Sequence, residues 1–362
     1  PESVACCSSL SACPGAKDVG VLGGLPLGPG GPAPGWGGVT LDDRAKISGL
    51  NGAPTQVISF SATRSELGAD ARITGNMSNR ADVFARERSK IVGNLGTGGI
   101  LIRQNPTQNI VTGTLSQNAN LTTPTGTLQV PQFSATTRGD VSLEPNTTRN
   151  IRPGAYRHLS VKSRSTLTLE PGTYWFESFN VEPQAKVTTS GAQPTRIYVK
   201  GALLLKESVE HAGGRIDNLL IYNVGTQDIF LEKGLRGALV APYAGVTLGG
   251  QVGTVHQGTV FARGVRLRPD VRLEHVSFPW TWVPGGVPAF TGYTLAGEAV
   301  STKQARAQSL DDQGNSDMGT WNGESSASCS YQRRPVPYSR LLWLLLGVPA
   351  ARLARRRQKR AA

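Results

Sequence analysis

Cleaving a polysaccharide takes two carboxylates close together for acid and base roles, or a calcium site beside an Arg or Lys base. Glu170, Glu182, Glu207, Glu210, Asp217, Asp228, Glu232, Asp270 and Glu274 are the acids on offer in the regular part of the chain. They are scattered, and no Asp-Asp or Asp-x-Asp pair stands between Glu144 and Val283. The adjacent pairs Asp42-Asp43 and Asp311-Asp312 read as solvated surface acids. His158, His211, His256 and His275 share no metal-ligand spacing, so they read as surface or corner residues and not as ligands. No glycine-rich segment carries the Lys-Ser or Lys-Thr that cradles phosphate, and Gly249-Gly250 reads as a corner. Asn76, Asn120 and Asn146 fall in N-x-S/T sequons, short enough to arise by chance. No catalytic residue, metal ligand or cofactor is therefore assigned.

The elements that would position such residues announce themselves by spacing. Pro153-Gly154-Ala155-Tyr156 recurs 18 positions later as Pro171-Gly172-Thr173-Tyr174, and each copy leads into short strands of alternating apolar and polar residues. A period near 20 residues belongs to solenoids. Ile47-Ser48-Gly49, Ile73-Thr74-Gly75-Asn76, Ile91-Val92-Gly93-Asn94 and Ile110-Val111-Thr112-Gly113 repeat the rhythm, the last three starting 18 and 19 positions apart. Each Ile is expected to point inward, with Gly or Asn at the corner. Inward pairs such as Leu203 and Leu205, or Val246 and Leu248, carry the period-two signature of a strand, and Val246-Thr247-Leu248 returns 19 positions on as Val265-Arg266-Leu267.

With Gly 44 and Pro 23 in 362 residues and no long apolar stripe at helical spacing, the fold class is all-β: a right-handed parallel β-helix. Residues 1–38 read as a flexible Gly/Pro-rich lead-in, 39–283 as the solenoid, 284–330 as a polar spacer and 331–362 as a short apolar segment with a basic tail. Residues 116–138 lose the rhythm and read as irregular coil. Phe278-Pro279-Trp280-Thr281-Trp282 is the expected cap on the last rung, because an open solenoid end invites edge pairing.

The net charge of +13 is concentrated: nine uncompensated cations lie between Gln332 and the end, leaving about +4 elsewhere. That distribution belongs to an address or a membrane surface, and nucleic acid is not an expected partner. Cys6, Cys7, Cys13 and Cys329 lie near the termini, so the body folds without disulfides. Leu341, Leu342, Trp343, Leu344, Leu345 and Leu346 form an apolar run too short to span a bilayer unaided, and Arg355, Arg356 and Arg357 follow it.

Three phrases in order, Leu167 to Phe176, Ile197 to Leu205 and Gly237 to Leu248, resemble the Pro-Gly-x-Tyr β-solenoid region of secreted and surface-attached bacterial proteins, including pilus-assembly-associated ones. That resemblance implies a structural or adhesive role and brings no catalytic residues. The late phrase is more distantly similar to bacterial ice-binding solenoids, but ice needs a flat array of small hydroxyls. The outward positions include Lys162, Tyr198, Lys200, Lys206, Arg266, Arg268 and Arg272, with Thr166 and Thr168 the one threonine pair. Cys329, Leu341 to Leu346 and Arg355 to Arg357 resemble a myxobacterial-type C-terminal sorting signal.

The expectation is a non-catalytic structural or adhesive solenoid, secreted or on the outer surface of a bacterium. Its expected partners are surface glycans or other surface proteins, and a membrane only through the tail. The alternatives are a carbohydrate-active β-helix enzyme, a lyase or hydrolase, and an ice or polysaccharide binder.

Overall fold

The structure, a computed structural model, describes residues 19–23, 38–119, 133 and 138–278. Strands dominate, no α-helix occurs among the described residues, and the parallel strands stack as a β-solenoid of about ten turns. Most turns contribute a strand to each of three ladders.

The first ladder holds Gly172–Val181 in its opening half, Thr195–Val199, Leu219–Asn223, and the first halves of Arg236–Leu248 and Val255–Leu267. The second holds Val141–Leu143, Leu203–Leu205, Ile229–Leu231 and the closing halves of the long strands. The third holds Thr148–Ile151, Thr166–Leu169, Lys186–Thr189 and Val209–His211, and further on Arg272–His275 and Lys46–Gly49.

The rungs do not stack in chain order. The turn ending at Arg272–His275 is followed in space by the N-terminal part of the chain: Val39–Leu41 pairs with residues 265–267, and Lys46–Gly49 pairs with Arg272–His275. Val19–Gly23 fills the place between them in the first ladder, with Val57 on one side of Val21 and Val260 on the other. The solenoid path therefore runs from 138 to 278, continues through 19–23 and 38, and finishes near 119. The first and last described stretches, Val19–Gly23 and the residues up to Phe278, meet at a mid-stack seam.

The outermost strands are Val141–Leu143 and Thr148–Ile151 at one end, and Leu101–Arg103 and Leu115–Ser116 at the other. Residues 117–140 join these two ends, and that length reaches up to about 80 Å, more than the ~50 Å height of ten strand spacings.

Two expectations change here. Val19–Gly23 is a fully buried strand and not part of a flexible lead-in. Phe278, 4% exposed and packed with Val19 and Leu22, lies at the seam and not on the terminal rung; Trp280 and Trp282 lie outside the described residues. The loop expected over 116–138 also falls mostly outside them.

The inward Ile47, Ile73, Ile91 and Ile110 are all buried in one continuous core. The first ladder is buried on its outer side too, where Leu22, Ile58, Tyr198, Tyr222 and Phe261 form a second cluster. Burial on both faces explains why Val19–Gly23, Thr55–Ser59 and Leu219–Asn223 are buried at every position. Tyr198, expected outward, does point away from the interior but is 2% exposed.

The Pro-Gly-x-Tyr phrase now has a physical meaning. A Cβ on Gly172 would approach Pro153 Cγ to 2.5 Å, and one on Gly191 would approach Pro171 Cγ to 2.6 Å, so each proline ring lies over the next rung's glycine. Tyr156 donates to the Arg152 carbonyl at 2.6 Å and Tyr174 to the Glu170 carbonyl at 2.8 Å, each reaching back four residues. Burial pushes the Tyr174 phenol above its ordinary range and keeps it a donor.

Between the second and third ladders seven of the described rungs turn through a left-handed residue: Asp270, Arg44, Asp70, Arg88, Asn146, Arg164 and Gln184 all have φ between 57° and 65°. The i+3 amide closes each turn, as from Val271 to Arg268 and from Ala45 to Asp42, in the manner of a type II turn.

Candidate functional site

Three places on the described surface gather charged groups. The first is a cleft of about 390 Å3 at the seam, lined by Asp42, Asp43, Arg64, Glu66, Arg86 and Arg266 among others. The seam makes it, since Asp42 and Arg266 are 224 residues apart and meet only because Thr40 pairs with Arg266. The two acids read from sequence as solvated lie inside it. All three carboxylates there are tied: Asp42 to Arg266 at 3.1 Å, Glu66 to Arg64 at 2.7 Å, and Asp43 to the Ala69 amide at 2.8 Å. Acid–base cleavage needs two carboxyls in contrasting environments, whereas each of these meets a hydrogen-bond donor.

The second cleft, also about 390 Å3, lies where the third ladder is interrupted between Val209–His211 and the strand beginning at Val255. Glu207, Glu210, Lys233, Arg236, Gln257 and Glu274 face it. Ser208 donates to Glu210 at 3.0 Å, Gln257 to Glu274 at 3.0 Å, and the Gln184 amide to Glu207 at 3.1 Å. The Gln257–Glu274 and Gln184–Glu207 bonds join neighbouring rungs, and the Ser208–Glu210 bond lies within one.

The third is a row of cations on the outer side of the third ladder. Arg272 pairs with Lys46, Lys46 with Arg72, and Arg72 with Lys90, so four exposed cations occupy one position on four successive strands. None forms an ion pair with a carboxylate among the described residues. Sequence reasoning singled out Ile47, Ile73 and Ile91 but passed over the residue before each. Lys46-Ile47, Arg72-Ile73, Lys90-Ile91 and Arg272-Leu273 share one pattern, a cation preceding an inward aliphatic, and that was the available signal.

The histidines divide. His158 is exposed and 2.8 Å from Ser178 Oγ. His211, His256 and His275, expected at the surface or at corners, are buried. His211 Nε2 lies 2.7 Å from the Gly191 carbonyl, and its Nδ1 accepts from the Gly213 amide at 3.1 Å. His256 Nδ1 accepts from the Leu235 amide at 3.0 Å, so Nε2 carries the proton and donates to the Gly249 carbonyl at 2.9 Å. Burial lowers the His256 pKa below its ordinary value, the Gly249 bond opposing that more weakly. Among the described residues no three His, Cys, Asp or Glu side chains come together as a metal site.

The outer row of the second ladder is mixed. Leu204 and Phe230 are 46% and 44% exposed on neighbouring strands, and Arg266 and Glu66 interrupt the hydroxyls further along. Thr148 beside Thr166, and Thr168 beside Thr188, add two threonines to the pair read from sequence, with Lys186 breaking the row.

Cys329, the run Leu341 to Leu346 and Arg355 to Arg357 lie outside the described residues. Within the described residues no helix is long and apolar enough to cross a membrane. No protein-family model matches the sequence, and no curated protein or solved structure is significantly similar to it.

Proposed function

We propose that this chain is a non-catalytic structural or adhesive β-solenoid, secreted or carried on the outer surface of a bacterium. Its C-terminal segment with Cys329, the apolar run and the arginine cluster serves as anchor or sorting element. The observation that supports this reading best is the seam cleft, where each of the three carboxylates is engaged by an arginine or a backbone amide. The Asp42–Arg266 and Asp43–Ala69 ties span rungs and act as structural fastenings, while Glu66 and Arg64 pair within one rung. Further fastenings run along the turn column, where Arg44 meets Asp270 at 2.6 Å and Arg88 meets Asp70 at 2.8 Å. A stack with a continuous core presents rigid, repeated faces to a partner, as binding solenoids do.

The test is a glycan array and an intact-cell binding assay with the full chain, paired with an assay for reducing ends or unsaturated products on every glycan retained. Retention without product is the expected result. Product that disappears in the Asp43→Asn and Glu66→Gln variants would overturn the reading in favour of the carbohydrate-active enzyme.

A further inference from the structure

Four like charges in register on adjacent parallel strands, about 4.8 Å apart, repel one another. The corner column beside them shows the usual remedy, since Asp270, Arg44, Asp70 and Arg88 alternate in sign. Arg44 holds the Asp270 carboxyl below its usual range, with a smaller contribution from Lys46. The row Arg272, Lys46, Arg72, Lys90 has no such alternation. Its partners in the next outward position are Glu274, Ser48, Thr74 and Val92, and Glu274 is bonded to Gln257.

From this geometry we infer that the row is a track for a linear acidic polysaccharide lying along the solenoid axis, each cation meeting a carboxylate or sulfate of the polymer. The inference rests on the adhesive reading and names its ligand class. The track is the one unbalanced row here: on one side lies the corner column, where Asp270 and Asp70 are ion-paired with Arg44 and Arg88, and on the other lies Glu274. A flat anionic bilayer or a duplex carries charge across a breadth that a single unbalanced row flanked by paired charges and Glu274 does not match, whereas a thin chain needs only one row. Single-stranded nucleic acid draws on aromatic platforms, and neither outward column of these four strands carries an aromatic residue. Ser48 and Thr74 offer hydroxyls beside the cations, which suit a sugar ring.

The experiment titrates the full chain with polygalacturonate, neutral dextran, a thymidine homopolymer and phosphatidylserine vesicles, at several salt concentrations. Wild type should bind polygalacturonate with an affinity that falls as salt rises, and prefer it to the other three. Lys46→Gln with Arg72→Gln should weaken that binding about 10- to 30-fold, at roughly a tenfold or less per cation. Arg149→Gln with Lys186→Gln, which removes two exposed cations elsewhere on the same ladder, should leave binding unchanged. Melting curves check that both variants stay folded, and the single substitutions Lys46→Gln and Arg72→Gln serve if the double one does not. Equal binding by the track variant and wild type, or preference for the homopolymer or the vesicles, overturns the track. If the array retains a glycan while wild type and the track variant hold polygalacturonate equally, the track falls while the adhesive reading stands.

Discussion

A single buried imidazole couples this solenoid to pH. His256 is held neutral by a donor on one nitrogen and an acceptor on the other, and burial lowers its pKa. The unfolded chain therefore takes up a proton near pH ~6.5 that the folded chain refuses. Stability from this group is fully present above that value and declines as pH falls below it towards the lowered folded value. Thermal melts from pH 8 to pH 5 should show a falling midpoint, and His256→Gln should lose some stability at pH 8 and give a shallower pH slope. An unchanged slope in the variant would assign the dependence elsewhere. At this scale the sequence was readable where a residue's role is local: Pro-Gly-x-Tyr declared its period, and the prolines stacked on glycines explain it. The burial of His211 and His256 was not readable, because each bonds a backbone group of a neighbouring rung, Gly191 and Leu235, 20 and 21 residues away.

The strand Val19–Gly23 decides how the two parts of the chain meet. Its sequence, VGVLG, sits beside a Gly/Pro-rich stretch and carries no period-two alternation, because its neighbours bury both its faces. A continuous apolar run of five residues is the signature of such a strand, though among so many glycines it is too short to outweigh a linker. Its glycines are required by crowding: a Cβ on Gly20 would stand 2.8 Å from both His275 Cβ and Thr55 Oγ1. Leu22, fully buried in the outer cluster, should cost about 2–5 kcal/mol when changed to alanine, read by denaturant unfolding. Hydrogen exchange should quicken first at Val57 and Val260, the register partners of Val21. A change under about 1 kcal/mol would mean that this strand does not close the seam.

Period alone identifies a rung but not its neighbour. Any turn of three strands offers the same ladder of amides and carbonyls above and below, so a rhythm of 18 to 19 residues is satisfied equally by stacking in chain order or by joining the first rungs to the last. That is why the solenoid was legible and its order was not, and why Phe278 looked like a cap. The ordering matters for function, since both the seam cleft and the cation track take residues from the two ends of the sequence. Lys46 and Arg272, register partners here, are the direct probe. With the native cysteines changed to serine and cysteines placed at 46 and 272, spin labels should report neighbouring strands, with backbones about 5 Å apart, and mild oxidation should form a disulfide. A solenoid stacked in chain order would hold the two sites on the order of 40–50 Å apart at the same spacing per rung, and that distance would contradict the seam and remove the track with it.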